Sequence, residues 1–309
     1  MSLRHSAPES PEGDTPTVVE LLFTYARRLF LVLFITLAGG SLASPASAED
    51  ARIVKRLSFS QAAAALTLDL YLPNQTTDPV PCVITIQGGG FRPQNGQRFK
   101  PFAEHLARNG FAAALISYRG SPEHRHPDTL ADVKASVRYI RSVADRYGID
   151  ADRIGAMGRS AGGTLAALLA VTGTSDDPDS QIQAAVCFAG VFDFVGRFTR
   201  QEQLAMQPNS QTKIKTNGQW IGTAFSPRDP QWLAASAITH VDPGDPPILF
   251  LHSRNDSTVP WFQSRDMHRA MTAAGVDAEI LLYETGGHGV SPKHRNSLDD
   301  MVAFFHKHL

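Results

Sequence analysis

The chain has 309 residues, of which 42% are hydrophobic and 8% aromatic, enough apolar material for the core of one α/β domain. Its formal net charge is −1. Residues 1–48 hold only Arg4, Arg27 and Arg28 against Glu9, Glu12, Asp14 and Glu20, so the rest of the chain is balanced. A neutral body argues against a nucleic-acid or anionic-membrane partner, since either needs a basic excess.

The first 48 residues predict an N-terminal tail and a signal peptide. Arg27 and Arg28 precede an almost wholly apolar run from Leu29 to Ala38, and Ala46-Ser47-Ala48 forms a small-residue cleavage site. That run is about half of the ~20 residues a membrane-spanning helix needs. The expected mature protein starts after Ala48, is secreted or periplasmic, and keeps no stable membrane span. Residues 49–309 then form the folded domain.

Arg52 to Phe59 and Leu66 to Leu72 alternate apolar and polar residues, predicting two half-buried strands. A Pro-rich loop, 73–81, leads to the β-branched run Cys82 to Ile86, which ends at Gln87-Gly88-Gly89-Gly90. A short helix from Phe102 to Asn109 closes at Gly110. Phe111 to Tyr118 is continuously apolar, as a parallel strand covered on both faces should be. Leu130, Val133, Val137 and Ile140 recur at helical spacing within Asp128 to Tyr147, and Gly148 ends that run.

Next comes a strand, Arg153 to Met157, then Gly158-Arg159-Ser160-Ala161-Gly162, then a helix through Ala170. Ala184 to Ala189 is another buried strand. Residues 195–235 interrupt the alternation. They are polar (Arg197, Arg200, Gln203, Gln207, Lys213) with scattered aromatics (Phe198, Trp220, Phe225, Trp232), and are expected to form a cap insertion. Strand Pro247 to His252, helix Gln263 to Ala274, strand Ala278 to Tyr283 and helix Ser297 to His308 finish the chain. This order predicts a mostly parallel central sheet with helices on both faces. In such sheets the functional groups lie on loops past the carboxyl ends of the strands.

G-x-S-x-G between a strand and a helix is a nucleophile elbow, where glycines allow a turn tight enough to hold the serine Oγ above the sheet. A serine hydroxyl needs a base, and the base needs an acid to orient it. Past later strand ends lie Asn255-Asp256-Ser257 and Gly287-His288-Gly289, in the order serine, acid, base. Ser160 is therefore the expected nucleophile, Asp256 the acid and His288 the base. His252, His294, Asp193 and Glu284, the last placed within the final strand, are weaker competitors. The main-chain N–H groups of Gly89, Gly90 and Ala161 are expected to form the oxyanion hole.

Leu68-Asp69-Leu70-Tyr71-Leu72-Pro73, Gly88-Gly89-Gly90-Phe91, Asp152-Arg153-Ile154 and the Gly158 to Gly163 run carry a resemblance, continued by Trp220-Ile221-Gly222, Ser236-Ala237-Ile238, Asn255 to Pro260 and Gly287-His288-Gly289. Over about residues 50–309 the chain resembles the esterase/lipase branch of the α/β-hydrolases. It is similar there to secreted feruloyl and acetylxylan esterases and to hormone-sensitive-lipase-like carboxylesterases. The resemblance implies an α/β-hydrolase fold with a short cap and the roles just given. It also implies hydrolysis of small or carbohydrate-borne esters through an acyl-enzyme, without cofactor or metal. Where that branch usually has His-Gly-Gly-Gly, Gln87 replaces the histidine; glutamine also donates and accepts, so it can brace the loop.

A serine peptidase with the same three residues and a non-catalytic binding protein are the rival readings. Several features take plainer readings. Cys82 and Cys187 are expected as buried free thiols, His124 and His126 as exposed loop residues, and Asp176-Asp177-Pro178-Asp179 as a solvated turn. Asp132 is expected as a structural partner, Trp261 as lining or packing, and Arg159 as solvated or paired with an acid.

Overall fold

The computed structural model describes residues 51–60, 66–74, 77–173, 177–289 and 295–309, all within one compact unit, Ala48–Leu309. The segment predicted as tail and signal, and with it His294 and Asp176, lies outside the described residues.

Strands that carry apolar side chains without alternation must be covered on both faces, and those of this chain are. β3 (Val80–Ile86), β4 (Ala112–Ile116), β6 (Ala184–Phe188) and β7 (Ile248–Ser253) lie inside an eight-stranded sheet. Its other members are β1 (Arg52–Ser60), β2 (Leu66–Leu72), β5 (Ile149–Arg159) and β8 (Ala278–Tyr283). The order is β1-β2-β4-β3-β5-β6-β7-β8. β2 runs antiparallel to β1 and β4, and every pair from β4 onward is parallel.

Successive side chains of one strand enter opposite cores. Val83, Ala113, Leu115 and Met157 meet Phe102 and Leu106 of α1 (Lys100–Arg108) and Met301 and Phe305 of α10 (Arg295–His308). Cys82, Ile84, Ala114 and Ala156 face the other way. They meet Val133 and Val137 of α2 (His126–Ser142), Leu165 and Leu169 of α4 (Ala161–Val171), and Met267 of α9 (Phe262–Ala273). The helix predicted over 128–147 is divided: α2 ends at Ser142 and α3 (Ala144–Tyr147) follows. Between them the Val143 N–H is shared by the Tyr139 and Ile140 carbonyls. Gly148, at φ 68°, ends the segment.

Between β6 and β7 the chain makes α5 (Phe194–Thr199), α6 (Gln201–Ala205), α7 (Ser210–Ile221) and α8 (Pro230–Ala234). The sequence suggested a polar cap here, yet an aromatic cluster fills it. Trp232 packs edge-on against Phe198 and Phe225, and Trp220 stacks on Phe91 with centroids 3.7 Å apart. Three of the polar residues that suggested the polar cap are buried: Arg197, Gln203 and Gln207 are each at most 3% exposed. Among the described residues no helix is long and apolar enough to cross a membrane.

Candidate active site

One residue separates the end of β5 at Arg159 from the start of α4 at Ala161. That residue is Ser160, with φ 57° and ψ −123°. A non-glycine residue reaches this region only when its surroundings hold it there. The flanking glycines make the turn possible. A Cβ on Gly158 would lie under 3.0 Å from the Gly162 carbonyl oxygen, and a Cβ on Gly162 equally close to that of Ile86. Ser160 N–H donates to the Phe188 carbonyl at 2.8 Å, tying the elbow to β6.

Ser160 Oγ lies 2.8 Å from His288 Nε2, and His288 Nδ1 lies 2.8 Å from Asp256 Oδ2. These three side chains are 128 and 32 residues apart along the chain and meet because β5, β7 and β8 end on the same edge of the sheet. The serine hydroxyl can donate to Nε2 while Nδ1–H donates to the carboxylate, which fixes the tautomer. His288 is 25% exposed and Asp256 fully buried.

Asp256 is held as an anion. Its other oxygen, Oδ1, accepts the Thr258 and Val259 N–H groups at 2.8 and 3.0 Å. Burial alone would raise its pKa, but hydrogen bonds and charge from His252 and His288 outweigh that and push it well below the ordinary carboxylate value. Arg197 braces the same loop from the cap. Its guanidinium donates to the Thr258 carbonyl at 2.6 Å and to Gln207 at 2.7 Å. Burial lowers its pKa to about 10, against the pull of Asp256.

The glycine loop after β3 sits directly against the elbow. A Cβ on Gly88 would collide with the Arg159 carbonyl and come within 3.1 Å of Ser160 Cβ. Gly89 and Gly90 are exposed, Gly90 has φ 64°, and among the described residues their N–H groups are given to no protein acceptor. Ala161 opens α4, so its N–H has no acceptor within the helix. Gly88 brings the glycine loop against Ser160, and Ala161 follows the serine directly, so all three N–H groups belong to segments that adjoin the nucleophile.

Gln87 is 3% exposed and supports the loop from below. Its amide N–H donates to Gln94, its Oε1 accepts from Arg98 N–H at 2.8 Å, and its carbonyl accepts from Tyr118 Oη at 2.6 Å.

The competing residues are otherwise engaged. Asp193 accepts from Gly196 N–H at the start of α5 and pairs with Arg200 at 3.2 Å. Glu284 lies beyond the end of β8, not within it, and pairs with Arg254 at 3.0 Å. His252 sits inside β7, fully buried, 3.3 Å from Asp256 Oδ2. Sequence reasoning weighed His252 only as a rival base, and Arg197 only as cap polarity. The four-residue spacing from His252 to Asp256 was the one available signal, and in a strand-to-loop junction it fixes no geometry.

His126 is buried, against expectation. It packs edge-on to Trp220 across 5.2 Å, and burial lowers its pKa to about 4. Asp177 accepts from Ser180 and pairs with Arg138, while Asp132 forks onto Arg119. Cys82 and Cys187 are buried and free, and burial pushes both thiols up. Trp261 packs against Phe262 and lies under the Arg254 guanidinium. Arg159 is half-buried beside Phe99 and has no acid partner among the described residues, so of the two expectations, solvated or paired with an acid, the pairing is not seen. Among the described residues no group of three or more His, Cys, Asp or Glu could hold a metal ion. A cleft of about 750 Å3 runs along α7 and another of about 420 Å3 lies between the start of α2 and α8; neither is lined by Ser160, Asp256 or His288.

A family model described as BD-FAE matches residues 68–271. A probable carboxylic ester hydrolase of Mycobacterium tuberculosis, LipM, is 32% identical over 74% of this chain and 55% of its own length. The chain spans about half the length of the curated relatives it matches first. Among solved structures, a truncated carbohydrate esterase from gut microbiota superposes with a TM-score of 0.69 and 27% identity, covering 85% of this chain and 98% of the other. A thermophilic esterase of Thermogutta terrifontis, Est2, with butyrate bound, gives 0.68 and 25%, covering 84% and 95%.

Proposed function

The chain belongs to the BD-FAE family and has the α/β-hydrolase fold, and from that premise we propose that it is a serine carboxylesterase. The observation that carries this reading is the unbroken hydrogen-bonded line from Ser160 Oγ through His288 to Asp256; the N–H groups of Gly89, Gly90 and Ala161 are proposed as its oxyanion hole.

In this reading Ser160 Oγ attacks the ester carbonyl carbon while His288 Nε2 takes the hydroxyl proton. The carbonyl oxygen becomes an oxyanion facing the three N–H groups, where losing one donor typically costs about 3 kcal/mol of the barrier. Collapse expels the alkoxide, which takes the proton from the imidazolium and leaves as the alcohol. Water then loses a proton to His288 and attacks the acyl-enzyme. The carboxylic acid departs and Ser160 regains its proton. Asp256, kept ionised by its partners, stabilises the imidazolium at both stages.

The proposed substrates are small or carbohydrate-borne carboxylic esters, of acetyl or feruloyl type. Support comes from the carbohydrate esterase that this fold resembles and from the butyrate held by the Thermogutta enzyme. Export is proposed from the Arg27 to Ala48 pattern alone.

The test is a panel of 4-nitrophenyl acetate and butyrate, acetylated xylan, methyl ferulate and an aminoacyl amide, with fluorophosphonate labelling. Wild type is expected to hydrolyse esters and to be labelled, and Ser160→Ala to lose both, by about a million-fold in kcat. Hydrolysis of the amide in preference to every ester would favour a peptidase. An unlabelled, inert, folded protein would overturn the reading.

A further inference from the structure

His252 is fully buried, belongs to none of the steps above, and touches the acid directly. Its Nε2 faces two acceptors, the Val259 carbonyl at 2.9 Å and Asp256 Oδ2 at 3.3 Å, so that nitrogen must carry a hydrogen. Its Nδ1 lies 2.7 Å from Oγ of Ser264, another fully buried residue, on α9. In the neutral ring the serine hydroxyl donates to Nδ1; in the protonated ring the direction reverses and both contacts survive. Asp256 Oδ2 therefore sits between two imidazoles, His288 on the substrate side and His252 on the core side.

We infer that His252 is a positioning residue: with Ser264 behind it, it extends the line to Ser160–His288–Asp256–His252–Ser264, aims Asp256 Oδ2, and limits how much of its charge His288 feels. This rests on the esterase reading for its kinetic consequences but not for its geometry.

The charged and titratable groups around this pair support the assignment. Arg197 of α5 hydrogen-bonds the acid loop at the Thr258 carbonyl and acts on Asp256 itself through space, without a hydrogen bond to Oδ2. Lys213 of α7 acts on Asp256 through space and has no ion-pair partner among the described residues. Asp266 of α9 is bound by Arg200 and Arg265. The nearest strand neighbours of His252 are Leu282 of β8 and, one residue back on β7 and across to β6, Phe188, none of them titratable. His252 is thus the group that shares Oδ2 with His288.

The direction of the effect follows. Removing the Nε2–H donor leaves Oδ2 to His288 alone, so the imidazolium of His288 is held more strongly and its proton is lost at higher pH. The acid limb of kcat/KM, which reports the free enzyme, should move up. With 4-nitrophenyl acetate, His252→Phe is expected to shift that limb upward by about half a unit or more. It should lower kcat about 10- to 100-fold, the usual scale for losing one hydrogen bond to a charged group, with KM little changed. His252→Gln, which keeps a donor, should return both toward wild type. Ser264→Ala, which removes only one oxygen, guards against a misfolded His252→Phe and should shift the limb the same way by less.

Independently of activity, the downfield proton resonance of the His288–Asp256 hydrogen bond should move in each variant. A His252→Phe profile superimposable on wild type with that resonance unmoved would overturn the inference. So would failure of His252→Gln to restore the limb in a folded protein. If wild type hydrolyses no ester and resists the fluorophosphonate, the esterase reading fails while the resonance still decides the role of His252.

Discussion

The two loops that meet at Ser160 are held by opposite means. On the elbow side the main chain itself sets the geometry. Ser160 is forced to φ 57°, and Gly88, Gly158 and Gly162 are packed so tightly against carbonyls that no Cβ fits. On the acid–base side buried polar side chains do the same job. His252, Asp256, Ser264, Gln263 and Arg197 are all at most 2% exposed and bonded to one another or to the loops they hold. Gln263 ties the start of α9 to the chain just after β6, accepting from Phe192 and Asp193 N–H groups at 2.7 and 2.8 Å. A site half built from backbone fails by volume, and a site half built from charge fails by protonation.

The sharpest way to break the charged half is Asp256→Asn. It keeps shape and removes charge, and the amide can force the wrong His288 tautomer, so kcat should fall about ten-thousand-fold with the fold retained. Circular dichroism beside kinetics checks both clauses. The backbone half should break by volume instead. Gly162→Ala adds a methyl against the Ile86 carbonyl. An expected loss of about a hundred-fold or more in kcat, with a clearly lowered Tm, would come from displacing the elbow rather than from any charge. An unchanged Tm would show that the main chain there yields more easily than its contacts imply.

Gln87→Ala tests whether the backbone half also leans on a side chain. It strands the Arg98 N–H and Gln94, so a loss of about 1–3 kcal/mol in stability and roughly tenfold in kcat is expected. Gln87→His should recover much of it. The smallest effect is in stability against pH. The folded-state pKa of Asp256 is depressed, so its contribution is present above the unfolded value, near 4, and is lost as pH falls through the folded one. Below about pH 4 the Tm of wild type should therefore fall more steeply than that of Asp256→Asn.

Much of this was legible in the chain. Continuous apolar runs predicted β3, β4, β6 and β7 because strands covered on both faces have no polar side to show. The elbow was legible because its turn admits few residues, and the strand ends placed Asp256 and His288 on the right edge of the sheet. The cap was not. Its polar residues suggested a surface, but composition does not say which way a polar group faces when partners are supplied from another element. Arg197 turns inward because the Thr258 carbonyl, 61 residues away, is there to accept. Arg159 likewise could not be assigned a partner from its neighbours in sequence.

The sequence by itself determined the alternation of strand and helix, the elbow and the identity of the three side chains that meet there, since each depends on local periodicity or on turn chemistry. Only the tertiary structure decided what surrounds them: that Gln87 supports the glycine loop, that Asp256 lies between two histidines, and that Arg197 is buried. Those contacts join residues far apart in the chain, and their energies depend on burial and on hydrogen-bond distance, neither of which a linear pattern contains.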